Sequence, residues 1–365
     1  MLLKRSILFF IMILPVFSCL AQNTRFQESG TGIEVTYGYG FIMPHHQMIE
    51  YFIEDHIHTL DIKINKATFG EQYWNQLFRY PSYGIGYYRS NLGNDEVFGK
   101  VNALYSFVKV PLLDTREKIN IGWQIGVGVS YLTEHFDMED NPQNLAIGSP
   151  LNIYIDLSLQ SQIPLADKIN LTNGIRFTHF SNGKVNSPNK GLNIISGSIG
   201  LLYNFYDSPE KYFQELPQIE KLNEYSIIYA GGIKSKSRYE PGSYYASSLI
   251  FDYSRNYSLK RKWIVGADLF YDETKKTYSQ ENQNNVFNTD LYQFGLHVGH
   301  EMMMGKLGFT LNVGGYLYMP VEEEAPLYSR IGLRYRFGKK FIANLTLKAH
   351  WAIASYIEWG IGYAF

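Results

Sequence analysis

From Ile33 onward the chain alternates between apolar residues and residues that are polar or tiny. Ile33, Val35, Tyr37, Tyr39 and Phe41 are interleaved with Glu34, Thr36, Gly38 and Gly40. Leu151, Ile153, Ile155, Leu157 and Leu159 are interleaved with Asn152, Tyr154, Asp156, Ser158 and Gln160. The last residues repeat the pattern, with Ile357, Trp359, Ile361, Tyr363 and Phe365 set against Tyr356, Glu358, Gly360, Gly362 and Ala364. Successive side chains of a strand leave on opposite faces, so a period of two means strands with one apolar and one polar face. The pattern predicts an all-β chain of about sixteen strands (roughly 14–16), starting near residue 32 and ending at 365. Many run to about 12 residues, long for a soluble sheet and long enough for a tilted strand to cross a bilayer.

Composition separates the remaining fold classes. The 365 residues carry a net charge of −1, which gives no electrostatic reason to bind nucleic acid. Charged residues make up only 18% and aromatics 16%, including 30 Tyr and 23 Phe. That balance suits a sheet with lipid on one side and water on the other, banded by aromatic girdles. After residue 21 no apolar run approaches the ~18 residues of a membrane helix, so a membrane-spanning chain of this kind has to be a closed barrel. The competing fold is a soluble sandwich or lipocalin-like barrel with its apolar face inward. Against it stand an export signal and a chain that ends on an aromatic, with Tyr363 and Phe365 on the apolar face. The signal peptide covers 1–21: Lys4 and Arg5, then the apolar Ile7 to Phe17, then Cys19-Leu20-Ala21 with cleavage after Ala21. Lipidation of Cys19 is the alternative, weakened by the bulky Phe17 two residues before it. Cys19 is the only cysteine, so no disulfide framework is available.

Loop lengths give a topology. In bacterial barrels the inner turns are short and the outer loops long, which sends odd-numbered strands outward. Connections 67–79 and 206–222 break that rule. The sequence is read as one antiparallel transmembrane β-barrel. Residues 22–205 form an eight-strand part, and 206–365 add the strands that complete the same barrel. Two eight-stranded barrels joined through 206–222 are the alternative.

Chemistry concentrates in one stretch. Phe177-Thr178-His179-Phe180-Ser181-Asn182-Gly183 closes a strand, and Pro188-Asn189-Lys190-Gly191-Leu192-Asn193 opens the next. His179 and Ser181 are two apart, so both leave on the same face, the arrangement of a general base and the nucleophile it activates. That face also carries Leu171, Ile175 and Phe177, so the pair should point at lipid near the outer end of the strand. If Ser181 lies opposite Gly191, His179 falls opposite Asn193, close enough for contact. Polar groups on an apolar, lipid-facing surface are costly and call for a function. The plainer reading is the polar rim that every barrel has at its interface.

His179-Phe180-Ser181-Asn182 followed by Pro188-Asn189-X-Gly191 resembles the active-site segment of the PagL family, the outer-membrane lipid A 3-O-deacylases. The specific match covers about 15–20 residues, and the eight-strand pattern extends it loosely over 22–205. The resemblance implies a serine esterase in the cell outer membrane that acts on lipid A of lipopolysaccharide in the outer leaflet and needs no metal or cofactor. It implies Ser181 as nucleophile, His179 as general base, and Asn182 with the Gly183 amide as oxyanion donors. Where the family has its catalytic Glu, this chain has Asn193, and no other acid lies between Asp167 and Asp207. Asn193 would then hold the imidazole without supplying charge, unless a loop such as 134–147 brings in an acid. Two other functions stay open: a non-catalytic channel or structural barrel, and an outer-membrane phospholipase. His45-His46 and His56-X-His58 are weaker candidates, for a metal. Nothing in the sequence fixes an oligomeric state.

Overall fold

The computed structural model describes residues 30–112, 119–207, 209–219, 222–237, 239, 242–276, 288–321, 325–338, 340–351 and 353–365. The expected signal peptide, 1–21, lies outside the described residues. Eight strands make a first set: β1 (Thr31–Ile42), β2 (Ile57–Ala67), β3 (Ser82–Asn91), β4 (Lys100–Pro111), β5 (Asn120–Leu132), β6 (Leu151–Ala166), β7 (Ile169–Ser181) and β8 (Leu192–Asn204). Eight more follow: β9 (Asn223–Lys234), β10 (Tyr244–Ser258), β11 (Arg261–Asp272), β12 (Tyr292–Met304), β13 (Leu307–Tyr318), β14 (Leu327–Phe337), β15 (Phe341–His350) and β16 (Ile353–Ala364). Short helices α1 (Gln47–Glu50) and α2 (Tyr73–Leu77) lie in the connections after β1 and β2.

The expectation of one large barrel is overturned. β8 does not pair with β9. It turns back onto β1, with Val35 opposite Leu201 and Tyr37 opposite Ile199. β16 closes separately onto β9, with Ile361 opposite Tyr229. The result is two closed antiparallel barrels of eight strands, each free of sheet edges. Period-two alternation fixes which face of a strand looks outward, but not which strand it closes against.

In both barrels the polar face looks inward. Ile175, Ile199, Val298 and Ile361 point outward and are 57–65% exposed. An apolar belt that exposed is stable only against lipid or a partner, and a belt around a closed barrel is the transmembrane pattern. The lumens are filled. In the first barrel Asp61 accepts from Tyr105 at 2.8 Å and from Arg176, and Gln124 donates to Asp156 at 2.6 Å. Lys63 pairs with Glu34 at 2.8 Å. Toward the end that carries Ser181, this polar layer gives way to an apolar plug that includes Tyr88, Tyr154, Phe180 and Leu132. In the second barrel Arg330 bridges Glu358 at 2.6 Å and Asp268 at 3.1 Å, while His297 lies between Asp268 and Asp252.

The barrels touch at both ends. At the end of the termini, Tyr212 N–H of the linker donates to Phe69 O at 2.6 Å, and Lys260 Nζ donates to Leu77 O at 3.1 Å. At the opposite end, Ser235 N–H donates to Lys184 O at 2.8 Å. The loop that follows Ser181 therefore rests against the second barrel.

Candidate active site

Phe180 faces the lumen, is fully buried, and packs on Tyr154 with ring centroids 5.7 Å apart. Alternation then forces its neighbours His179 and Ser181 onto the outer face. β7 pairs with β8 so that His179 lies opposite Asn193, the register expected from the sequence. His179 Nε2 is 3.0 Å from Ser181 Oγ, and His179 Nδ1 is 2.6 Å from Asn193 Oδ1. All three side chains are half-buried.

Both ring nitrogens of His179 are thus occupied. An acid from 134–147 has no place on the ring, and that loop does something else. Its Ala146 carbonyl accepts from Gly191 N–H at 2.9 Å and its Leu145 carbonyl from Lys190 N–H at 3.4 Å, which fixes the backbone beside the imidazole. Asp156, on the neighbouring strand, is buried in the lumen with Gln124 and Arg176.

Gly191 has φ +80°, and a methyl group there would lie 2.8 Å from Cε1 of His179. Only glycine combines that conformation with that approach. We expect Gly191→Ala to fold, as judged by heat-modifiable migration on gels, while displacing the imidazole. The displacement should break the contacts of His179 with Ser181 and Asn193, read as a changed 15N spectrum of its ring.

The two oxyanion candidates behave differently. Asn182 is buried; its side-chain amide donates to Ser149 Oγ at 3.1 Å, and its backbone N–H donates to Asn189 Oδ1 at 2.9 Å. Its amide reaches a substrate oxyanion only by exchanging Asn189 for it. Gly183, at φ +63°, begins the turn, and no described group accepts from its N–H. A methyl group on Gly183 would come within 2.5 Å of Ile357 on β16, so the second barrel backs this turn.

Two residues lie here that the sequence did not place beside His179, Asn189 and the metal candidate His45. Asn189 stood in the Pro188-Asn189-X-Gly191 segment without an assigned role. His45, from the loop after β1, lies 3.3 Å from Asn193 through Nδ1 and 2.7 Å from Lys190 O through Nε2. Its distance along the chain hid it. His56 and His58 instead pack on Tyr39. Among the described residues, no group of three or more His, Cys, Asp or Glu is placed to hold a metal ion.

Residues 59–201 match the family described as lipid A 3-O-deacylase (PagL), and residues 223–365 match the acyloxyacyl hydrolase C-terminal domain of the same family. The chain belongs to the PagL family. No curated protein matches the sequence. Among solved structures, the outer membrane enzyme PagL is 15% identical, with 46% of this chain and 97% of that one covered and a TM-score of 0.33. Neisserial surface protein A is 11% identical, with 48% and 98% covered and a TM-score of 0.30. A Rhodopseudomonas blastica porin mutant is 9% identical, with 92% and 99% covered and a TM-score of 0.17. Membership in the PagL family and the barrel fold together indicate the outer membrane. The family's N-terminal match takes in the His179, Ser181 and Asn193 segment, and its C-terminal match takes in β9 to β16.

Proposed function

We propose that this chain is a serine esterase that removes one ester-linked acyl chain from lipid A in the outer leaflet. The observation that carries the reading is the hydrogen-bonded line Ser181–His179–Asn193 on the outward face of a membrane barrel, at its loop-covered end. A lipid ester can reach that face by lateral diffusion, without leaving the bilayer.

His179 Nε2 takes the proton of the Ser181 hydroxyl as Oγ attacks the ester carbonyl. The tetrahedral oxyanion is held by the Gly183 amide, with Asn182 joining once its amide leaves Asn189. In acyl transfer such donors usually stabilise the transition state more than any other group. The protonated His179 gives its proton to the departing sugar oxygen. Water, deprotonated by His179, then attacks the acyl-enzyme, the proton returns to Ser181, and the fatty acid is released. Asn193 accepts from His179 Nδ1–H and so keeps Nε2 free, as an Asn does in Cys-His-Asn sites. It supplies no negative charge, so the imidazolium of the transition state is less stabilised than beside a carboxylate.

A non-catalytic barrel is the second reading, and Asn193 is the observation that favours it. Filled lumens speak against a channel. The test is fatty acid release by the purified chain in detergent, from lipid A and from a diacylglycerophospholipid in parallel. Release from lipid A alone is expected. Release from the phospholipid alone would make the protein a phospholipase, and release from neither would leave the non-catalytic barrel.

A further inference from the structure

We propose that His45 is a positioning residue that sets the orientation of the Asn193 amide and, through it, the tautomer of His179. The inference rests on the esterase reading of Ser181. It starts from a backbone carbonyl, which can only accept. His45 Nε2 lies 2.7 Å from Lys190 O, so Nε2 carries the proton. In neutral His45 the other nitrogen, Nδ1, is then a lone pair. It faces Asn193 at 3.3 Å and requires the NH2 end of that amide. The oxygen end is thereby turned to His179 Nδ1, 2.6 Å away, which must be N–H. His179 Nε2 is left as the lone pair facing Ser181 Oγ at 3.0 Å. Each link admits one assignment, and the chain ends in the tautomer that a general base needs.

The reverse orientation shows why the device is needed. With the amide flipped, Asn193 would donate to His179 Nδ1, and His179 Nε2–H would then point at Ser181 with no base to offer. His45 would have to donate from both nitrogens, which only its cation can do. A carboxylate at position 193 has no donor end and would need no such control. An amide has two unlike ends, and here a second imidazole distinguishes them.

Protonation of His45 therefore favours the unproductive flip. The groups facing it are His46 beside it, with ring centroids 4.9 Å apart, and His179 and Lys190 from the β7–β8 side. Lys190 Nζ lies 3.5 Å from His46 Nε2. His45 is exposed.

The test is 15N NMR of the histidine rings of the full chain in detergent micelles, with His179 assigned from the resonance lost in His179→Gln. The wild type should show His179 protonated at Nδ1. His45→Ala should give a mixture of tautomers, and His45→Gln, whose Oε1 accepts from Asn193, should restore the wild-type state. In parallel, His45→Ala should lower kcat about tenfold with KM unchanged, in the range seen when an orienting partner is lost. The same substitution should cost nothing further in an Asn193→Ala background. An unchanged His179 tautomer in His45→Ala, or an equal loss in both backgrounds, would overturn the proposal. If the wild type shows no Ser181-dependent hydrolysis, the esterase reading fails, while the ring spectra still decide the role of His45.

Discussion

Ser181→Ala should lower the rate of lipid A ester hydrolysis by about 10³-fold or more while leaving both barrels folded. Removing the nucleophile of such a site leaves only what oxyanion donors and binding supply, so the remaining rate should change little when His179→Ala is added. The loss should appear in kcat, because Ser181 contributes a hydroxyl to the reaction and little area to binding. The substitution removes one outward oxygen from a half-buried position, so heat-modifiable migration should match the wild type. Acylation by a fluorophosphonate probe should vanish in the same variant. Equal labelling of wild type and Ser181→Ala would place the nucleophile elsewhere.

Arg330→Ala should destabilise the second barrel by about 3–5 kcal/mol and leave the first nearly untouched. The guanidinium is fully buried between Glu358 and Asp268, and removing it takes the arginine partner from both carboxylates in a closed lumen, leaving Glu358 with only hydroxyl donors and Asp268 with His297 and Tyr328. Because β9 to β16 close on themselves, the loss should stay within that set. Urea unfolding of the wild type, followed by limited proteolysis at 205–222, should show two transitions. In Arg330→Ala only the one reporting residues 223–365 should move. A single transition that shifts as a whole would contradict the division into two barrels.

The strands themselves were legible in the sequence. Alternation placed Ile175, Phe177 and His179 on the lipid side and Arg176, Thr178 and Phe180 inside, and the structure shows that arrangement. Register across the β7–β8 hairpin was legible too, because pairing Ser181 with Gly191 keeps the apolar residues of both strands on one face, and it set His179 opposite Asn193. Barrel closure was not legible. It depends on whether β8 meets β9 or returns to β1, contacts between residues far apart in the chain with no local signature. The one hint was 206–222, an inner connection too long for a turn, whose Tyr212 and Gln214 bind the β2–β3 connection instead of joining paired strands.

The site was legible only as far as local order reached. His179, Ser181 and Asn193 could be placed from two neighbouring strands. His45 comes from the far side of the β1–β8 seam, where Met43 N–H donates to Asn193 O at 2.8 Å and extends that pairing toward the site. No pattern in the sequence links the two. The direction of the Asn182 side chain also depends on contacts that spacing does not show. Its side chain turns inward to Ser149 because it continues the lumen-facing face of Thr178 and Phe180.

The proposed function turns on chemistry at Ser181. The most direct measurement is the mass spectrum of lipid A from outer membranes that carry the wild-type chain or Ser181→Ala at equal levels. Lipid A from the wild type should lose the mass of one ester-linked acyl chain, and lipid A from the variant should not. Identical, fully acylated lipid A in both, with the barrels folded, would contradict a lipid A esterase.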